Sequence, residues 1–232
     1  MMIRVPNAAG SDMSAYMALP KAGKGPGIVV CQEIFGVTDS LKKVCDYLAA
    51  RQFTAICPDL YWSVEPGVVV PENEYEPARA LRAKVNDGAV VKDIGAAMAF
   101  LRKHEACTGA VGVVGFCWGG LLAYLTATEE KPDAAVSYYG VGIEKHLDSA
   151  SKVACPMLLH YGGLDAAVPP EAVAKVSEAL PNATVLTYPD GNHAFARPGG
   201  VNYHHKSADL ADMRTVAFMT LHLIGKGKVG LL

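Results

Sequence analysis

The sequence predicts an α/β fold in which a mostly parallel sheet carries helices on both faces. Three observations lead there. Short apolar runs alternate along the chain with longer segments of helical spacing. Some of those runs, Gly27-Ile28-Val29-Val30-Cys31 above all, are apolar without interruption, as strands covered on both faces must be. One run, Ala110 to Gly115, passes through Phe116-Cys117-Trp118 into Gly119-Gly120 and a second apolar stretch, the pattern of a sharp strand-to-helix turn with a side chain raised at its tip.

The elements follow in order. Ile3 to Pro20 reads as an antiparallel pair turning at Ala9-Gly10-Ser11-Asp12. After the Lys21–Pro26 loop comes the Gly27–Cys31 strand, and Thr38-Asp39-Ser40 caps a helix through Leu41 to Arg51. Phe53 to Cys57 is a strand stopped by Pro58, and Asp59 to Pro77 is a long, Pro-rich irregular stretch of the kind that often carries function. A helix runs from Ala78 to His104 with a break near Asp87-Gly88. Gly119 to Thr128 is the helix after the sharp turn. Three further strands cover Ala134 to Tyr138, Met157 to Tyr161 and Thr184 to Tyr188, and two further helices cover Pro169 to Leu180 and Ser207 to Leu223. Active sites of such sheets lie beyond the carboxyl ends of the strands.

At 232 residues and 51% hydrophobic content the chain can fill one large core, and nothing in it marks a boundary, so one domain over residues 1–232 is expected. A net charge of −2 gives no pull toward nucleic acid or anionic membrane. No apolar stretch is long enough to cross a bilayer. The six cysteines include no C-x-x-C pair, and no basic-then-apolar leader opens the chain, so reduced thiols in a cytoplasmic protein are expected. His204 and His205 are adjacent and cannot share one helix face, so no metal site is expected there.

Cys117 is the candidate nucleophile. The run Gly115-Phe116-Cys117-Trp118-Gly119 is the nucleophile elbow of an α/β-hydrolase fold with cysteine where serine usually stands. The turn crowds the backbone, which Gly115 and Gly119 tolerate, and it sets the sulfur at a helix N-terminus that favours a thiolate. The alternative is a glycine-rich turn around an inert thiol. A thiolate needs a partner for its proton. Asp165 follows the strand ending at Tyr161, and His193 follows the strand ending at Tyr188, so the sheet would present both at the same edge as Cys117. Each alone reads as an ordinary turn residue. Together they keep the nucleophile–acid–base order of this fold.

These residues resemble the dienelactone hydrolase (carboxymethylenebutenolidase) family. The likeness extends from about Gly27 to Phe218 and rests on Gln32-Glu33-Ile34-Phe35-Gly36, Cys57-Pro58-Asp59-Leu60-Tyr61, the elbow with its cysteine, Tyr138-Tyr139-Gly140 and Gly191-Asn192-His193-Ala194-Phe195-Ala196-Arg197. The resemblance implies a cytoplasmic monomer without cofactor that hydrolyses small carboxylate-bearing lactones to maleylacetate-type products. It implies an oxyanion hole from the N–H groups of Ile34 and Trp118. It also gives Glu33 the role of a switch whose carboxylate lies by the resting thiol and is displaced by substrate; the plainer reading is an acid that caps nearby backbone.

For the substrate carboxylate, Arg197 matches a family position. The family's second arginine is missing: Tyr75 stands there, with Arg79 and Arg82 just after it. Arg79 and Arg82 are three apart and share a helix face, and either one of them replaces the missing arginine or both are solvated. Phe35, Trp118, Tyr139 and Phe195 adjoin the motif residues and would pack against a flat lactone. The partner expected is thus a small molecule. Two other readings stand beside this one, a broader esterase or thioesterase using the same triad and a catalytically silent binding relative.

Overall fold

A computed structural model describes residues 1–224, and residues 225–232 of the expected 1–232 unit lie outside it. Eight strands form one sheet: β1 (Met2–Pro6), β2 (Asp12–Ala18), β3 (Gly25–Cys31), β4 (Thr54–Pro58), β5 (Cys107–Phe116), β6 (Ala135–Tyr138), β7 (Met157–Gly162) and β8 (Thr184–Tyr188). Their order is β1-β2-β4-β3-β5-β6-β7-β8. The β1/β2 and β2/β4 pairs are antiparallel and every pair from β4 to β8 is parallel. The α/β-hydrolase expectation is met.

Six helices cover the sheet: α1 (Asp39–Ala49), α2 (Tyr75–Arg82), α3 (Asp87–Lys103), α4 (Trp118–Glu129), α5 (Pro170–Ala179) and α6 (His205–Leu223). Alternation along β3 shows why its run had to be apolar throughout. Val29 and Cys31 pack into the core shared with α3, α4 and α5, while Ile28 and Val30 pack into the core shared with α1 and α6. Chain direction across the sheet reverses between β3, which leads to β4 on one side, and β5, which leads to β6 on the other. A crevice opens at such a switch point, and the residues after β3 and β5 face it.

Two expectations are corrected. The irregular stretch does not run to Pro77, because α2 begins at Tyr75; Pro77 sits in its first turn, where a missing N–H costs nothing. The break expected near Asp87-Gly88 falls just before it, between Arg82 and Asp87, and Asp87 opens the second helix, which Asn86 caps by accepting the Ala89 N–H at 3.0 Å. The loop before α2 is ordered by its own polar contacts. Asp59 accepts the N–H of Tyr61 at 3.0 Å and of Gly67 at 2.7 Å, and the Val70 N–H reaches the Phe35 carbonyl at 2.9 Å. Among the described residues no helix is long and apolar enough to cross a membrane.

Candidate active site

Cys117 caps α4 at φ 55° and ψ −114°, a conformation that a non-glycine residue holds only when its surroundings force it. The surroundings are the two glycines. A β-carbon at Gly115 would run into the Gly119 carbonyl, and one at Gly119 would run into the Cys31 carbonyl. The turn is closed by the Cys117 N–H on the Tyr138 carbonyl at 3.0 Å and by the Gly120 N–H on the Cys117 carbonyl at 3.0 Å. The thiol stays partly open to solvent, whereas Cys31, Cys45, Cys57 and Cys107 are buried.

The turns after β7 and β8 bring Asp165 and His193 to the same rim. Asp165 is 3% exposed; one oxygen accepts the Ala167 N–H at 2.8 Å and the other meets His193 Nδ1 at 2.8 Å. The other side of the imidazole interacts with the Cys117 sulfur. Burial works against a charge on this ring, but the hydrogen bond that His193 donates to Asp165 and the sulfur of Cys117 outweigh it, and the His193 pKa is raised to about 10. The three residues singled out from sequence therefore meet at one rim of the sheet. Tyr139 supports it: its ring, fully buried, lies edge-on to the imidazole at 5.2 Å. Tyr139 and Ala194, like Cys117, have positive φ, so the backbone is strained on both sides of the imidazole as well as beneath the sulfur.

The raised value sets a sign. A group whose folded pKa lies above its unfolded one contributes stability fully present below the unfolded value near 6.5 and lost as the pH rises through about 10. The expected observation is a His193 imidazole resonance titrating near pH 10 in the wild type. Its midpoint should move down in Cys117→Ala and in Asp165→Asn, because each removes a partner that favours the charge. A wild-type midpoint near 6.5 would rule out an imidazolium facing a sulfur anion.

Cys117 and His193 open into a cavity of about 320 Å³ walled by Ile34, Tyr75, Trp118, Leu121 and Val141, with Arg79 and Arg82 on one side. A second cavity of about 260 Å³ lies between α1 and α6, but it contains neither the thiol nor the imidazole. Trp118 and Ile34, the expected oxyanion donors, both line the Cys117 cavity. Phe35 and Tyr139, expected against the substrate, are buried and do not line it; Phe35 packs edge-on to Tyr75 at 5.5 Å, so Tyr75, with Trp118, presents a ring to the cavity.

The charged residues fall differently from the sequence expectation. Arg197 is buried and its Nε donates to Glu33 Oε2 at 2.6 Å, with both side chains about 5% exposed or less. Burial opposes the Arg197 charge, and the Glu33 carboxylate more than offsets it. Glu33 thus does not rest on the thiol, since Oε2 is taken by Arg197 and Oε1 has no hydrogen-bond partner. Arg82 is also engaged: Nη2 meets both Asp87 oxygens at 2.6 and 2.7 Å, and its guanidinium lies 4.6 Å from the Trp118 ring. Arg79, with a side chain 67% exposed, makes a surface contact to Glu76 and lies 5.9 Å from the Tyr75 ring, which leaves its charge available to the cavity. Sequence reading missed Asp87, which it took only for a helix break. The signal was Trp118, because a buried indole N–H demands an acceptor. Among the described residues no group of three or more His, Cys, Asp or Glu side chains could hold a metal ion.

A family model described as the dienelactone hydrolase family matches residues 13–223. A carboxymethylenebutenolidase from Pseudomonas sp. (strain P51) is 38% identical over 218 residues, covering 90% of each chain. A carboxymethylenebutenolidase from Pseudomonas putida is 35% identical over 223 residues, covering 94% of each. Among solved structures, a Klebsiella pneumoniae subsp. pneumoniae protein described provisionally as a dienelactone hydrolase superposes with a TM-score of 0.83 at 30% identity, covering 95% of this chain and 98% of its own.

Proposed function

The chain belongs to the dienelactone hydrolase family and is a hydrolase of ester bonds, and from that premise we propose that it opens small carboxylate-bearing lactones, converting a dienelactone to maleylacetate, through a thioester on Cys117. One observation carries the reading: Asp165 holds His193 at 2.8 Å while the far side of the imidazole interacts with the Cys117 sulfur.

The chemistry closes on itself. The Cys117 thiolate attacks the lactone carbonyl, and the oxyanion that forms is met by the N–H groups of Ile34 and Trp118. When the acyl C–O bond breaks, the ring oxygen leaves with the proton from the His193 imidazolium. The imidazole, now neutral and still held by Asp165, takes a proton from water as that water attacks the thioester. The C–S bond breaks, leaving the sulfur anion again beside an imidazolium; the acid released gives its proton to water, and the enol freed by ring opening tautomerises to the ketone of maleylacetate. Substrate chemistry and reaction are matched, since a carboxylated lactone is small, flat and activated.

The charges give the reading its substrate preference. Arg79 is the available cation at the cavity and would take the substrate carboxylate. Arg197 does not line this cavity and is paired with Glu33, so turning it toward a substrate would unpair a buried carboxylate. Glu33 then acts as the proposed switch. The expected result is turnover of a carboxylated dienelactone well above that of a neutral aryl ester of similar size. Arg79→Ala should raise KM for the dienelactone about tenfold, the loss of one charge-assisted contact, and leave the aryl ester unaffected. Glu33→Gln should change the pH profile of turnover. The neutralised Arg82 and the apolar walls favour a second reading, a broader esterase with the same triad. Equal rates on both substrates, indifferent to Arg79→Ala, would establish that reading in place of the first.

A further inference from the structure

The oxyanion donors of Ile34 and Trp118 are backbone groups, so they are only as well placed as the residues that carry them. What holds those residues is a continuous chain of side-chain contacts. The Trp118 indole is 3% exposed, stacks on the Tyr61 ring at 5.4 Å and 16°, and lies 4.6 Å from the Arg82 guanidinium. Its Nε1–H donates to Asp87 Oδ1 at 2.9 Å. Asp87 is the first residue of α3, where the helix dipole favours a carboxylate, and Arg82 clamps both of its oxygens. At the other end the Tyr61 hydroxyl donates to the Ile34 carbonyl at 3.0 Å. One connected path therefore runs Ile34, Tyr61, Trp118, Asp87, Arg82, and it joins the Ile34 backbone to the Trp118 side chain through the Tyr61 ring.

We propose that Tyr61 and Asp87 are positioning residues that set the spacing of the two oxyanion donors, Tyr61 by holding the Ile34 carbonyl, on the peptide next to the donor N–H, and Asp87 by holding the Trp118 indole. The proposal rests on the reading of Cys117 as the nucleophile. It also assigns Arg82 a task other than binding the substrate carboxylate, since its Nη2 is taken by Asp87 and its Nη1 by the Val85 carbonyl. An oxyanion hole works only while its donors are pre-set to the transition-state oxygen, and displacement of either by a fraction of an ångström weakens that step alone. The ground-state carbonyl is less sensitive, so the effect belongs on kcat rather than on KM.

Four variants test this in the intact enzyme. Tyr61→Phe keeps the stack and removes the hydroxyl; Trp118→Phe keeps a ring and removes the indole N–H; Asp87→Ala removes the acceptor; Asp87→Asn restores an acceptor oxygen without the charge. The first three should each lower kcat about tenfold or more, with KM within about twofold, the scale of a displaced rather than a deleted donor. Asp87→Asn should recover most of the loss. The rate at which iodoacetamide alkylates Cys117 should stay at the wild-type value in all four, because alkylation forms no oxyanion. Unchanged kcat in both Tyr61→Phe and Trp118→Phe, with alkylation intact, overturns the positioning role alone. A loss of Tm with no change in kcat does the same, as it marks a purely structural contact. Full turnover in Cys117→Ala overturns the nucleophile reading and this proposal with it.

Discussion

Cys117→Ala is expected to lower kcat/KM for the enzyme's ester or lactone substrate by about 10⁴-fold or more, the scale on which loss of a covalent nucleophile is felt when the rest of a triad remains. The variant is a clean test because the fold should not notice it. The side chain is only partly buried, and alanine tolerates φ 55° no worse than cysteine does, so the strain at the elbow is unchanged. What disappears is the thioester route. The residual activity comes from the oxyanion donors and from binding, and it should not show a burst. In the wild type an activated ester should give a burst of leaving group and an acyl mass on Cys117 after rapid quenching. Cys117→Ser should fall between the two, because a hydroxyl at the same position gives up its proton to His193 far less readily than a thiol does. Wild-type turnover in Cys117→Ala, or an acyl adduct on another residue, would defeat the mechanism.

Arg197→Met is expected to destabilise the protein by about 3–5 kcal/mol, because it strands the Glu33 carboxylate in a buried site without its partner. The Glu33 side chain is 4% exposed and its second oxygen already lacks a hydrogen bond, so without Arg197 neither oxygen keeps a partner it has now. For a chain of this size the loss corresponds to a fall in Tm of about 6–20 °C. The double variant Glu33→Gln with Arg197→Met should regain most of that stability, since neither charge then needs a partner. Thermal unfolding followed by circular dichroism measures both. A single variant as stable as the wild type would mean that the pair is hydrated and contributes little. The double variant separates two roles as well. If it is stable but slow, with an altered pH profile, the pair serves the reaction and not only the fold.

Much of this site was legible along the chain, for a local reason. An elbow needs glycine at fixed offsets from its nucleophile, and Gly115 and Gly119 stand there because backbone carbonyls occupy the space a β-carbon would take. Parallel strands deliver the residues that follow them to one rim, so Asp165 and His193 could be placed once β7 and β8 were recognised from their apolar runs. The helix breaks were less legible. Pro77 reads as the end of an irregular stretch when it is a first-turn residue, and Asn86 as a cap is visible only once α3 is known to begin beside it.

The sequence by itself determined the order of the strands and helices, the glycines of the elbow, and the identity and order of cysteine, acid and histidine, since each depends on spacing within one segment or on the regular geometry of a parallel sheet. Only the tertiary structure decided which charges are free to act. Glu33 and Arg197 are 164 residues apart and yet meet at 2.6 Å, Arg82 is spent on Asp87, and Arg79 is left to the cavity. The physical reason is that the state of a charged group depends on its burial and on the groups across from it in space, and neither is written in its neighbours along the chain.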